Sequence, residues 1–217
     1  MKIKGNVALI ILSVIAGLLV IISFSIFLNK EEVVELPIKF VEFADYQCPA
    51  CGYYYALVIK AIEPYSDNVS YEFKHFPLTS IHEYAYNAAL AAEGAREQNK
   101  FKEYSDKLFE MNYKFSLNEI SDQFLTDNKL VEYALELGLD IEKFNSDRNT
   151  KLIKDRVDSN INEGIGLSIN STPTFIINGK QFRPQNVDQT LSKEEAENAI
   201  IQQFRDYIDS KLKLVKN

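Results

Sequence analysis

Only two cysteines occur in the 217 residues of this chain, and they stand three apart in "ADYQCPACGYYY", residues 44–55. Cys48 and Cys51 at that spacing face one another across one turn of a helix. Their α-carbons then fall within the roughly 4.4–6.8 Å that a disulfide requires, so the pair can close and open with little backbone movement. A helix start suits such chemistry. Its unpaired N–H groups and the positive end of its dipole favour a negative sulfur, and cysteines so placed ionise at about 3.5–7.5. Pro49 fits the first helical position, where its missing N–H costs nothing. A stabilised Cys48 thiolate is a good leaving group, which makes the oxidised pair easy to reduce. The Pro49-Ala50 dipeptide between the sulfurs brings neither charge nor a side-chain hydrogen bond. Stabilisation must therefore come from the backbone and from neighbours.

Three other readings stand beside redox chemistry. A structural disulfide closing so short a loop constrains the unfolded chain little. A zinc half-site needs two further ligands, and His75, His82 and carboxylates offer no familiar spacing. Two inert buried thiols are the third. The spacing together with the helix start favours the redox reading.

The surrounding sequence must position this pair. "IKFVEF" (38–43) is rich in β-branched and aromatic residues and reads as a strand. A helix follows from Pro49 or Cys51 to about Ser66, ended or kinked at Pro64. "VSYEFKHF" (69–76) alternates as a second strand. Residues 81–163 read as helical throughout. An alanine face at Ala85, Ala88, Ala89, Ala92 and Ala95 lies in this block. Further helices are expected over Asn118–Leu137 and Ile141–Asn162. "TFIING" (174–179) runs into Asn178-Gly179, a hairpin turn signal, and then "KQFRP". A last helix spans about Lys193–Lys213. Strand, helix, strand, helical block, strand hairpin and helix make an α/β domain with helices inserted in its middle.

Charge and the N-terminus bound the setting. Acidic residues outnumber basic ones by 31 to 24, for a net charge of −7, which argues against nucleic acid as a partner. Residues 7–28 carry no charge. As a helix they would span about 33 Å, enough for a hydrocarbon core of about 30 Å. A cleaved signal peptide is the rival, but its apolar region is ordinarily only about 7–15 residues. Residues 1–28 are thus expected to be a membrane anchor and 29–37 a linker. Lys2 and Lys4 precede the span and Glu31 and Glu32 follow it, so the positive-inside rule keeps the N-terminus cytoplasmic. The domain then lies outside the cytoplasm, where disulfides persist.

"FADYQCPACG" places the cysteine pair directly after a strand, and "STPTFIING" places Thr172-Pro173 directly before a later one. Together with "KHFPL" (74–78) and "NAALAAEGAREQNKF" (87–101), the chain resembles the DsbA-like branch of the thioredoxin superfamily from about Ile38 to its end. The resemblance implies a thioredoxin-like α/β fold over 38–217 with a helical subdomain inserted at about 80–165. It implies that Cys48 is the exposed nucleophile and Cys51 the buried resolving cysteine. Pro173 matches the cis-proline beside the disulfide, and the Thr172 backbone there can pair with an extended substrate segment. Pro49, Ala50 and Tyr46 join Thr172 as expected substrate contacts. Tyr46, Tyr53, Tyr54 and Tyr55 are candidates for the rim of a groove, with core filling as the alternative. Glu42 matches a buried acid that relays protons to Cys51, with a strand glutamate facing water as the bland reading. Many oxidases of this family carry a histidine between the cysteines, where this chain has Ala50. His75 is expected to be a surface or structurally satisfied residue.

The activity so implied is that of an extracytoplasmic thiol–disulfide oxidoreductase, foremost an oxidase. A reductase or isomerase using the same site, or a non-catalytic binding module, are the alternatives. No cofactor beyond the two cysteines is expected. Expected partners are thiol-containing unfolded proteins and a membrane-embedded redox protein.

Overall fold

The structure, a computed structural model, describes residues 36–215. The expected anchor over 1–28 and most of the linker lie outside these residues. Among the described residues no helix is long and apolar enough to cross a membrane.

Four strands form one sheet in the order β2-β1-β3-β4. β1 (Ile38–Ala44) pairs in parallel with β2 (Val69–His75) and antiparallel with β3 (Thr174–Ile177), which forms a hairpin with β4 (Lys180–Phe182). Asn178 and Gly179 turn that hairpin with φ of 47° and 75°. Positive φ at both central residues is what a tight two-residue turn demands and what Asn-Gly tolerates best. Asn178 also fastens the turn to β1, its Oδ1 accepting from Lys39 N and its N–H donating to Lys39 O, both at 2.8 Å.

β1 is central, so both its faces are covered. Phe40 packs on Phe175 and Phe204. With Ile38, Leu57, Val58 and Ile177 it builds the core beneath α1 (Pro49–Ile62) and the last helix, which spans Lys193–Val215. On the other face Phe43 meets Phe76 edge-on. A Cβ placed on Gly164 would lie 2.6 Å from the Phe76 ring, so only glycine lets its helix approach this closely.

The insertion between β2 and β3 holds α2 (Ala85–Arg96), α3 (Phe101–Ser116), α4 (Asp127–Glu136), α5 (Ile141–Asp147) and α6 (Lys151–Gly166); the closing helix is α7. The continuous helical block expected from the sequence is therefore divided. Asn118 takes φ 59° and a short 3-10 turn at Asp122–Leu125 interrupts the expected helix over 118–137. Thr150 splits the one expected over 141–162. Its backbone is extended, and its hydroxyl caps the next helix by accepting from Ile153 N, as an N-cap threonine does. The alanine face is real: Ala85, Ala88, Ala89, Ala92 and Ala95 are all buried.

One cluster of the insertion reaches the cysteines. Tyr104, Leu108, Phe109, Leu130 and Phe144 are continuous with Tyr46, Cys48 and Cys51. The inserted helices thus form part of the wall behind the dithiol.

Candidate active site

Cys48 is the N-cap of α1, with extended backbone (φ −72°, ψ 117°), and Pro49 opens the helix. The Cys48 carbonyl accepts from Cys51 N at 3.0 Å, so the first turn closes directly between the two cysteines. Both are free thiols. Cys51 is fully buried, whereas Cys48 retains 7 % exposure beneath Pro49 and Ala50, which are exposed. Cys48 is thus less open than expected, but of the two cysteines it is the one that retains any exposure.

The two sulfurs ionise very differently. Cys48 is lowered to about 6. The largest cause is the Cys51 thiol, which donates to the Cys48 sulfur. Burial opposes this. Thr172 and the Cys51 backbone N–H add further stabilisation. The N–H at the helix start therefore contributes, but the partner thiol contributes more. Burial drives Cys51 well above the ordinary thiol range, and its bond to Cys48 adds to that. One thiolate is favoured, shared unevenly across a short hydrogen-bonded turn.

Thr172 and Pro173 come from the other end of the sequence. The Thr172–Pro173 peptide is cis. The Cys48 thiol donates to the Thr172 carbonyl across 3.4 Å. The buried Thr172 hydroxyl has no hydrogen-bond partner. It is a free donor beside a sulfur that becomes an acceptor on ionising.

Glu42 lies on β1 and is fully buried, not turned to water. Its Oε2 accepts from the Tyr71 hydroxyl at 2.7 Å, and Oε1 has no partner. Burial raises it to about 7, with Tyr71 pulling in the opposite direction. Its hydrogen-bond partner is a tyrosine and not a cysteine.

The expected rim position of Tyr46 is corrected. Tyr46 is 1 % exposed. It stacks on Phe73, tilts against Phe109 and hydrogen-bonds Ser105 at 2.7 Å. An aromatic two residues past a buried strand end is drawn inward when the insertion offers it rings and a hydroxyl. Tyr53, Tyr54 and Tyr55 are half-buried. Tyr53 and Tyr55 line a groove of about 580 Å³ with Phe109 and Tyr113 on the flank of α1, and neither cysteine is among its lining residues. His75 is buried, with Nε2 2.9 Å from Glu93 Oε1. Glu93 also accepts from Arg96 and Arg156. These partners hold its carboxyl at about 2 although burial, the largest influence, works the other way.

Two positioning residues escape a reading of the sequence alone. Asn112 on α3 donates from Nδ2 to the carbonyls of Tyr46 (2.7 Å) and Cys48 (3.1 Å). It fits because residue 52 is glycine, where a Cβ would sit 2.1 Å from Asn112 Oδ1. Asp45 directly follows the strand, and its side chain accepts from Gln47 N (2.7 Å) and Leu78 N (2.8 Å). Only Asp45 carried a local signal, since an aspartate that caps the N–H two residues on is a recurrent turn device. Asn112 is 64 residues from Cys48 and nothing in its surroundings marks it.

A parallel βαβ start, a cysteine pair capping the first helix and a cis-proline loop against the outer sulfur define a dithiol–disulfide exchange scaffold. A family model described as thioredoxin matches residues 35–201, and the chain belongs to that family. Its fold is that of the DsbA-type oxidoreductases. Oxidoreductase DsbA from Xylella fastidiosa superposes with TM-score 0.62 at 16 % identity, covering 84 % of this chain and 89 % of that one. Alpha-DsbA1 from Wolbachia pipientis superposes with TM-score 0.60 at 23 % identity, covering 83 % and 89 %. Among curated proteins, Na(+)/H(+) antiporter NhaA 1 of Mycobacterium sp. (strain KMS) is 34 % identical over 151 residues. That is 69 % of this chain and 23 % of the antiporter, so the chain spans under a quarter of such relatives.

Proposed function

We propose that this chain is a membrane-tethered thiol–disulfide oxidoreductase that faces outward and introduces disulfides into other proteins. The observation that carries the reading is the split between the sulfurs: Cys48 ionises at about 6 and Cys51 far higher. A stabilised Cys48 thiolate favours the reduced enzyme and hence the withdrawal of electrons from a substrate. Antiport, named for the curated relatives, is no part of this reading, because the matched portion is a small fraction of those proteins. The tether, from the uncharged segment 7–28, keeps the domain near chains emerging across the membrane.

The reaction starts from the oxidised pair. A substrate thiolate attacks Cys48 Sγ, a mixed disulfide forms and Cys51 leaves as a thiolate. The high proton affinity of Cys51 makes it take up a proton at once. The substrate's second thiolate then attacks the substrate sulfur of the mixed disulfide and expels Cys48, which departs as the stabilised anion. Two electrons have passed from substrate to enzyme, and a membrane-embedded redox partner removes them. The half-buried Thr172 backbone offers the incoming segment a strand to pair with. Glu42, raised to about 7 by burial, is the buried acid of the central strand and the candidate for proton exchange.

The test is oxidation of a dithiol peptide by the purified oxidised full-length protein. It should outpace a small-molecule disulfide at equal concentration, and Cys48→Ala should abolish the reaction. A binding module shows no difference between the two proteins. A reductase or isomerase shows instead a preference for attacking preformed disulfides.

A further inference from the structure

The chain has two histidines, and each is hydrogen-bonded to a buried carboxylate. His75 is sealed: its side chain is 2 % exposed, and its partner Glu93 is shared with two arginines. His82 differs. It precedes α2, 16 % of its side chain reaches solvent, and Nδ1 lies 2.7 Å from Asp45 Oδ2. Asp45 in turn touches both cysteines through its backbone. Its carbonyl accepts from Cys48 N at 3.1 Å, and its N–H points at Cys51 Sγ across 3.5 Å. Gln47 reinforces the junction, its Oε1 accepting from Tyr84 N at 2.8 Å. The loop that leads into α2 is thereby fastened to the loop that leads into α1. The negative charge of Asp45 pushes Cys48 upward, as the smallest of the influences on it after the Cys51 thiol, burial, Thr172 and the Cys51 backbone.

We propose that His82 is a proton-responsive positioning residue for the dithiol, acting through Asp45. The inference rests on the redox reading of Cys48. With both ring nitrogens protonated, His82 is a cation against the buried carboxylate and offsets its charge. With one proton it is a neutral donor, and Asp45 stands uncompensated beside the Cys48 turn. The thiolate is therefore favoured by the second proton on His82. By thermodynamic reciprocity, the thiolate must favour that proton equally. Among the described residues Asp45 is the one charged side chain in hydrogen-bond reach of His82. Glu83, next in the chain, is exposed. Partial exposure lets the ring exchange its proton with water while the core stays closed. His82 thus reaches the cysteine turn through one intervening residue, Asp45, in a chain that has Ala50 between its cysteines.

Reciprocity makes the test independent of turnover. Full-length protein carrying 13C-labelled histidine is titrated by NMR in three forms: reduced, oxidised, and Cys48→Ser. The His82 signal is identified by its loss in His82→Gln. The expected result is a His82 titration displaced to higher pH in the reduced form relative to the other two. Reduced His82→Gln should also need a higher pH to ionise Cys48 than the parent does. Coincident His82 titrations in all three forms overturn the proposal. Dithiol-peptide oxidation that persists in that case leaves the oxidoreductase reading standing, so the two fail separately.

Discussion

The Cys48 sulfur lies 3.4 Å from the carbonyl oxygen of Thr172, a residue 124 positions away in the chain. The contact joins the start of α1 to the loop before β3, and it brings the unpartnered Thr172 hydroxyl to the same sulfur. Thr172→Val keeps the shape of the side chain and removes the donor. The Cys48 midpoint should then rise by about half a unit to one unit, read from thiolate absorbance against pH. An unchanged midpoint would show that the backbone alone shapes this wall.

Glu42 gives the domain a pH dependence with a definite sign. Its folded-state value of about 7 exceeds the ordinary 4.5 because burial favours the neutral acid. Its contribution to stability is fully present below pH 4.5 and is lost as the pH rises to 7. Above that the folded chain carries a penalty of about 3 kcal/mol. Glu42→Gln removes the titration. Denaturant unfolding of the oxidised protein, where Cys48 does not titrate, should show the variant more stable at pH 8 by up to about 3 kcal/mol and little changed at pH 4. Parallel pH profiles for the two proteins would contradict this.

Gly52 and Asn112 form a matched pair. A methyl at position 52 would overlap Asn112 Oδ1 at 2.1 Å and approach Asn112 Cγ at 2.8 Å. Gly52→Ala should therefore cost about 1–3 kcal/mol in overpacking. It should also lift Asn112 from the carbonyls of Tyr46 and Cys48. Asn112→Ala is expected to relieve part of that overlap in the double variant, a coupling visible in a double-mutant cycle of urea midpoints. Additive costs would mean that the two residues do not meet.

Much of this architecture is written in local patterns. The strand expected at 38–43, the turn at Asn178-Gly179 and the α1 start at Cys48-Pro49 follow from β-branched and aromatic composition, turn chemistry and a proline at the first helical position. Long-range contacts were not legible in that way. The inward turn of Tyr46 depends on Phe109 and Ser105 of the insertion, and neither is near it in sequence. The helix breaks at Asn118 and Thr150 interrupt segments whose composition is helical on both sides, so periodicity runs across them. The cysteine spacing reveals the chemistry. The ordering of its causes, with the Cys51 thiol ahead of the helix N–H, emerges only from the folded geometry. His82 and Asp45 are 37 residues apart, and no spacing rule connects them.

Ultraviolet titration of the reduced full-length protein, following thiolate absorbance with Cys48→Ala as the blank, probes the foundation of this account. The reduced protein should show a single thiolate with a midpoint at about 6, absent from the blank. A midpoint near the 9.0 of an ordinary thiol, or ionisation that survives in Cys48→Ala, would contradict it.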